Sequence, residues 1–171
     1  QYQNASNISA RIQLHNKYST NTQGWFPWIF DQCHMAEHST VLELGCGDGS
    51  LWLENKEKIP KQLHVVLSDI SEGMLRDTRR AIHANVKTSR FDFQVFDCER
   101  IPYPDNSFDL VIANHILFYC KNLTSVFEEI SRVLKTGGTF VCSTYGAAHM
   151  KEINELVSEF DDRIVLSADR L

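Results

Sequence analysis

Residues Val41 to Leu51 read Val-Leu-Glu-Leu-Gly-Cys-Gly-Asp-Gly-Ser-Leu, and the order of residue types in this stretch decides the fold. Val-Leu-x-Leu is the pattern of a buried strand, and Ser50-Leu51-Trp52-Leu53 opens a helix. Between them stand three alternate glycines, Gly45, Gly47 and Gly49, with acids at Glu43 and Asp48. The segment therefore reads as strand, tight turn and helix start. Glycines at such a turn admit positive φ and let a ligand lie against bare backbone, while the first amides of the helix face the same space. The reading is a nucleotide-type pocket.

Working outward, the chain alternates strand and helix: strand 41–44, helix about 50–58, strand 64–68, helix 71–85, strand 91–96, strand 108–113, helix 122–135 and strand 138–143. Such alternation predicts an α/β three-layer sandwich, a mostly parallel sheet of about five principal strands with helices on both faces. Ser71 followed by Glu72 supplies a helix start, and Lys135-Thr136-Gly137-Gly138 a basic last turn and a glycine stop. Pro102-Tyr103-Pro104-Asp105-Asn106 breaks the chain where a helix between the third and fourth strands is otherwise expected. Before Val41, residues 1–39 form a lead-in: a polar stretch, then dense aromatics at Trp25, Phe26 and Trp28 ahead of a helical stretch to about Glu37. Residues 40–171 form the nucleotide-binding domain, ending in an amphipathic helix, His149 to Phe160, and an ambiguous Arg163 to Leu171.

At 171 residues, 43% hydrophobic and 23% charged, the chain has the composition of one soluble domain. A formal charge of -5 gives no electrostatic case for a nucleic-acid surface. No run of about eighteen apolar residues and no signal peptide are present, so neither a membrane span nor secretion is expected. The five cysteines read as buried, reduced thiols of a cytoplasmic protein. A start at Gln1 and an unpatterned end at Leu171 point to a fragment of a longer protein, cut before the last strands. Cys33, His34 and His38 lack any further ligand at a recognised spacing, so they read as helix-surface residues and no metal is expected.

In open parallel sheets ligands bind beyond the carboxyl ends of the strands. Those ends are Gly45-Cys46-Gly47, Asp69, Asp97, Asn114-His115 and Ser143-Thr144-Tyr145, polar groups delivered to one edge. Asp69, past the second strand, stands where an acid accepts from both ribose hydroxyls; capping of the helix at Ser71 is the plainer alternative. Asp97 can serve an adenine or face water beside Arg100. The spacing GxGxG differs from the dinucleotide GxGxxG, and carboxylates at Glu43 and Asp48 repel a pyrophosphate, which argues against NAD and an oxidoreductase. A cationic cofactor without phosphate, S-adenosylmethionine, tolerates those acids.

Four blocks in order carry a resemblance: VLELGCGDGSL from Val41, VVLSDISEGML from Val65, FDCERIPYPDNSFDLVIANHILFY from Phe96 and EEISRVLKTGGTF from Glu128. Together they resemble the class I S-adenosylmethionine-dependent methyltransferases with small-molecule acceptors. The resemblance implies a Rossmann-like fold in which Gly45, Cys46 and Gly47 pack on the cofactor and Glu43 supports its amino-acid end. It further implies Asp69 on the ribose, Ile70 and Met74 along the adenine, and Asp97 with Cys98 at the adenine amino group. Asn114 and His115 then border the methionine end and the acceptor. Met74 reads equally well as plain core. The lead-in resembles a lid, with Tyr18 over the sulfonium, Trp28 nearby, and Lys17 or Arg11 on the cofactor carboxylate. Methyl transfer to a thiol, amine or carbanion needs alignment more than a base, whereas a hydroxyl acceptor gains from one; His115 is then the candidate, and a pocket-shaping role is its alternative. The expected activity is methyl transfer from S-adenosylmethionine, leaving S-adenosylhomocysteine. A binding or sensor module that keeps the cofactor pocket without transfer is the alternative. Acceptor atom and oligomeric state stay open.

Overall fold

A computed structural model describes residues 13, 17–146 and 151–161 of the chain. Arg11, Arg163 to Leu171 and the first part of the helix expected from His149 lie outside the described residues.

The elements run α1 (Trp25–Gln32), β1 (Thr40–Leu44), α2 (Ser50–Leu53), β2 (His64–Asp69), α3 (Glu72–Asn85), β3 (Arg90–Val95), β4 (Phe108–Asn114), a 3-10 turn (Leu117–Tyr119), α4 (Leu123–Val133), β5 (Leu134–Ser143) and α5 (Lys151–Phe160). The five strands form one sheet in the order β3-β2-β1-β4-β5, every neighbour parallel. This is the Rossmann-like sheet expected from the alternation, and its order reverses between β1 and β4, the switch point beside which open parallel sheets bind their ligands.

Alternate residues of the central strands feed two cores. Val41, Val65, Leu67, Leu110 and Ile112 face α1, α2 and α3 through Ile29, Phe30, Trp52, Leu75 and Ile82. Leu42, Leu44, Val66, Val111 and Ala113 face α4 through Val126, Ile130 and Val133. Burial on both faces is why these strands read as continuous apolar runs. Two helices start on side-chain caps: Ser71 Oγ accepts from the Met74 amide and Asn122 Oδ1 from the Ser125 amide.

Several expected boundaries move. The helix expected over 50–58 is only α2, because Asn55 turns its buried Nδ2 back to donate to the Leu51 carbonyl at 2.8 Å and the Phe26 carbonyl at 3.2 Å. A side chain thus takes the acceptor that the next helical amide needs. The helix expected over 122–135 stops at Val133, and β5 begins at once. Register is lost between Phe108, opposite Leu134, and Leu110, opposite Thr139, so Lys135 to Gly138 bulge out against a single β4 residue. Lys135 Nζ holds that bulge, reaching Asp109 Oδ2 at 2.9 Å and Thr40 Oγ1 at 3.1 Å. The first helix ends at Gln32, short of Glu37, and His34 and His38 both have left-handed φ, so they do not share a helix face.

No helix stands between β3 and β4. Arg132 of α4 organises the connection, its guanidinium donating to the carbonyls of Ile101 at 2.9 Å and Tyr103 at 2.7 Å while pairing with Glu129 and Asp105. Glu129 accepts in turn from the Ile101 amide at 2.7 Å. The expectation of five buried thiols holds for Cys33 and Cys46; Cys98 and Cys120 are half-buried and Cys142 is exposed. Cys142 lies on β5, which pairs on one side only among the described residues.

Candidate functional site

Every strand except β3 ends within a residue of a polar group expected at the site. The turn after β1 is built on positive φ at Gly45 (67°), Gly47 (54°) and Gly49 (80°). At Gly47 a side chain would meet nothing within 4 Å, so this backbone faces open space; at Gly45 a Cβ would come 2.3 Å from Ile116 Cγ2. The loop is locked from behind. Cys46 donates its amide to the Ser68 carbonyl at 2.8 Å, and the Gly47 carbonyl accepts from Thr78 Oγ1 at 2.6 Å. Bare backbone at Gly47 is the surface a flat ligand can approach.

Asp69 closes one side of that surface. Its Oδ2 accepts from the Gly47 amide at 3.2 Å and its Oδ1 from the Ser71 amide at 2.8 Å. Burial raises its pKa and these amide bonds pull it back. The helix-start bond expected of Asp69 is thus present at Ser71, and the second bond, from Gly47, orients the carboxylate against the glycine turn. Ile70, 55% exposed, stands beside it. Met74, by contrast, is buried at 2% exposure, and Asp97 is exposed after β3 with its Oδ1 taken by the Glu99 amide at 3.0 Å.

Glu43 sits deeper than the glycine loop. Its carboxyl is 2% exposed and accepts the Trp52 indole N–H at 2.6 Å. Burial pushes its pKa up to about 8, with the Trp52 bond opposing and the charges of Asp48 and Asp69 adding. Near neutral pH it is therefore largely protonated, and the repulsion of phosphate expected from it falls to Asp48 and Asp69. Asp48 Oδ1 accepts from the Ser50 amide at 3.1 Å, the bond of a helix-start acid.

The β4 end carries an aromatic wall. Asn114 Oδ1 accepts from Ser143 Oγ at 2.6 Å and from Trp25 Nε1 at 3.1 Å. An indole N–H only donates, so it is the oxygen of the amide that faces Trp25. His115, at φ 56°, stacks on Trp25 (4.7 Å between centroids, 22° between planes) and on Tyr145 (5.1 Å, 25°). Phe118 continues the stack on Tyr145 at 4.9 Å. Trp25 therefore docks α1 onto the edge of a sheet 89 residues away in sequence. Aromatic density ahead of the first helix was the sequence's signal for a cover, without singling out Trp25. Tyr18, expected over the sulfonium, is 66% exposed under the Lys17 ammonium, and Trp28 packs on Trp25 at 5.4 Å. Among the described residues no three His, Cys, Asp or Glu side chains converge on a point that could hold a metal ion.

A family model described as a methyltransferase domain matches residues 42–142, from β1 to the last residues of β5. The chain is 32% identical over 118 residues to a demethylmenaquinone methyltransferase of Symbiobacterium thermophilum, covering 69% of this chain and 47% of the relative. It is 30% identical over 135 residues to a malonyl-acyl-carrier-protein O-methyltransferase of Nitrosospira multiformis, covering 71% and 44%. Among solved structures the cyclase SpnF superposes at TM-score 0.59 with 25% identity, covering 67% of this chain and 42% of that one. The chain spans about half the length of the curated relatives it matches. The match takes in the glycine turn, Asp69, Asp97 and Asn114-His115, on a sheet whose order reverses between β1 and β4. This chain belongs to the methyltransferase-domain family of class I S-adenosylmethionine-dependent enzymes.

Proposed function

We propose that this chain is the cofactor-binding core of a cytoplasmic methyltransferase that moves a methyl group from S-adenosylmethionine to a small-molecule acceptor. One observation carries the reading: open glycine backbone at Gly47 lies against a carboxylate, Asp69, already oriented by that glycine's own amide. A ribose laid on this backbone finds a carboxylate acceptor with two oxygens, where a phosphate would meet like charge. The donor set fits a cationic cofactor and opposes a dinucleotide, since Asp48 and Asp69 are the charged groups of the turn.

Bound S-adenosylmethionine would supply a methyl group made electrophilic by a sulfonium. The chain's own groups bind and align. Asp69 takes the ribose hydroxyls, Gly45, Cys46 and Gly47 provide the flat floor, and protonated Glu43 supports that floor through Trp52. Ile70 offers the exposed apolar surface for an adenine, Met74 lines it from within, and Asp97 with Cys98 meets the far end. Asn114, its oxygen committed to Trp25 and Ser143, presents its amide N–H2 to the amino-acid end.

The acceptor's place is the wall of Trp25, His115, Tyr145 and Phe118. Stacked rings exclude water and hold a partner at fixed distance, which is where an in-line displacement gains its rate. For a hydroxyl acceptor His115 is the side chain on that wall able to take a proton. Trp25, with Trp28 packed on it, covers this end, and Tyr18 is the lid residue that the resemblance implies. The test is a metabolite extract incubated with the full-length protein and labelled S-adenosylmethionine. A labelled product with stoichiometric S-adenosylhomocysteine is expected; cofactor binding with no product across a broad acceptor panel would establish a binding module instead.

A further inference from the structure

Cys98 follows β3 and Cys120 follows the 3-10 turn, yet their Sγ atoms stand 3.2 Å apart, 22 residues distant in sequence. Theirs is the one thiol-to-thiol contact among the described residues. Cys33 instead donates to the Ile29 carbonyl, Cys46 is buried within the glycine loop, and Cys142 is exposed on β5. The two chain segments are also tied next door: Glu99 Oε1 accepts from the Lys121 amide at 2.7 Å and the Asn122 amide at 3.1 Å. One residue beyond each thiol, a fixed clamp thus holds the two sulfurs in register.

We propose that Cys98 and Cys120 are an oxidisable dithiol, a modification site for thiol–disulfide exchange with a small disulfide of the glutathione type. A disulfide bond of about 2.05 Å requires the sulfurs to close by roughly 1.2 Å. Cys98 lies in the irregular connection after β3, where such a shift breaks no strand or helix bond. Either sulfur can donate in this contact, and burial pushes both thiols up; with Cys98 as the donor, Cys120 is the sulfur favoured as the thiolate. The Cys120 thiolate attacks one sulfur of the oxidised reagent and expels one thiolate. Cys98, losing its proton, then attacks Cys120 Sγ and expels the second. Two protein thiols are oxidised by two electrons, the reagent's disulfide is reduced to two thiols, and the two protons pass to them. Proximity favours this second step over a stalled mixed disulfide, because the clamp makes it intramolecular. Exchange quickens as pH rises, since the thiolate is the attacking form.

The test is peptide mapping of the full-length protein after glutathione disulfide treatment, without reducing agent. A linked pair of peptides carrying Cys98 and Cys120, two hydrogens lighter than the reduced pair, is expected, with exposed Cys142 carrying glutathione as the internal control. The Cys98→Ser variant should instead leave Cys120 as a glutathione adduct. Two results would overturn the proposal: both thiols reduced while Cys142 is modified, or both stopping as separate adducts in the wild-type protein. Because Cys98 adjoins Asp97, the bond also restrains the loop assigned above to the adenine, and this part rests on that function. Affinity for S-adenosylhomocysteine should differ at least threefold between oxidised and re-reduced protein; equal affinity refutes the coupling, and the mapping result separates that from failure of the bond to form.

Discussion

Glu43→Gln should change how the stability of this protein depends on pH, more than it changes stability at any one pH. The wild-type carboxyl is sealed beneath the glycine turn, bonded to Trp52, and carries a pKa pushed from 4.5 to about 8 by burial. The fold thus prefers the protonated acid. Its contribution is whole below about pH 4.5, where the unfolded chain is protonated too, and is lost as pH rises toward 8, because the unfolded state then releases a proton that the native state keeps. Each pH unit inside that window costs about 1.4 kcal/mol, so the loss between pH 5 and pH 8 is roughly 3–4 kcal/mol, a large share of a domain's stability. The substituted amide keeps a carbonyl oxygen for the Trp52 N–H and does not titrate. Its extra N–H2 sets a penalty that is constant with pH. Urea unfolding of both proteins from pH 5 to pH 9 provides the measurement. Asp69, also raised by burial, titrates in both proteins, so only its coupling to Glu43 survives in the difference. The variant should gain about 3 kcal/mol on the wild type between pH 5 and pH 8. A difference that stays flat across that range would refute the buried, protonated state of Glu43.

Asp69→Asn keeps the side chain's shape but removes the anionic acceptor, so affinity for S-adenosylhomocysteine by calorimetry should fall by about tenfold or more, with the unfolding midpoint nearly unchanged. Gly45→Ala and Gly47→Ala should separate: the first forces a Cβ to 2.3 Å from Ile116 and costs about 2 kcal/mol or more in unfolding. The second enters open space, costs about 1–2 kcal/mol for its left-handed φ, and shows its main effect as lost cofactor binding. Arg132→Ala removes the donors to Ile101 and Tyr103 and should cost about 1–2 kcal/mol, with hydrogen exchange rising between residues 99 and 107 in particular. Trp25→Phe preserves a ring on His115 but loses the bond to Asn114. It should raise KM for the cofactor several-fold, whereas Trp25→Ala should also raise KM for the acceptor.

The three central strands, β2, β1 and β4, and their polar ends were legible because burial on both faces writes an apolar run, and the glycine turn followed from spacing alone. The limits of the reading are equally physical. Asn55 ends α2 with a bond from its own side chain, an event no helical period encodes. Leu134 leaves α4 for β5 without a loop, so the glycine pair taken as a helix stop lies in a bulge opposite Asp109. The charge of Glu43 was taken at its ordinary value because the indole that buries it is nine residues away on the next element. Tertiary contacts also decided Trp25 on Asn114 and Cys98 on Cys120, each joining segments that local pattern treats as independent.

The most direct measurement is a calorimetric titration of the purified protein with S-adenosylhomocysteine and, separately, with NADH, on the wild type and Asp69→Asn. Saturable, one-to-one binding of S-adenosylhomocysteine that weakens in the variant, with no heat from NADH, is the predicted result. Saturable NADH binding that S-adenosylhomocysteine does not displace would contradict it.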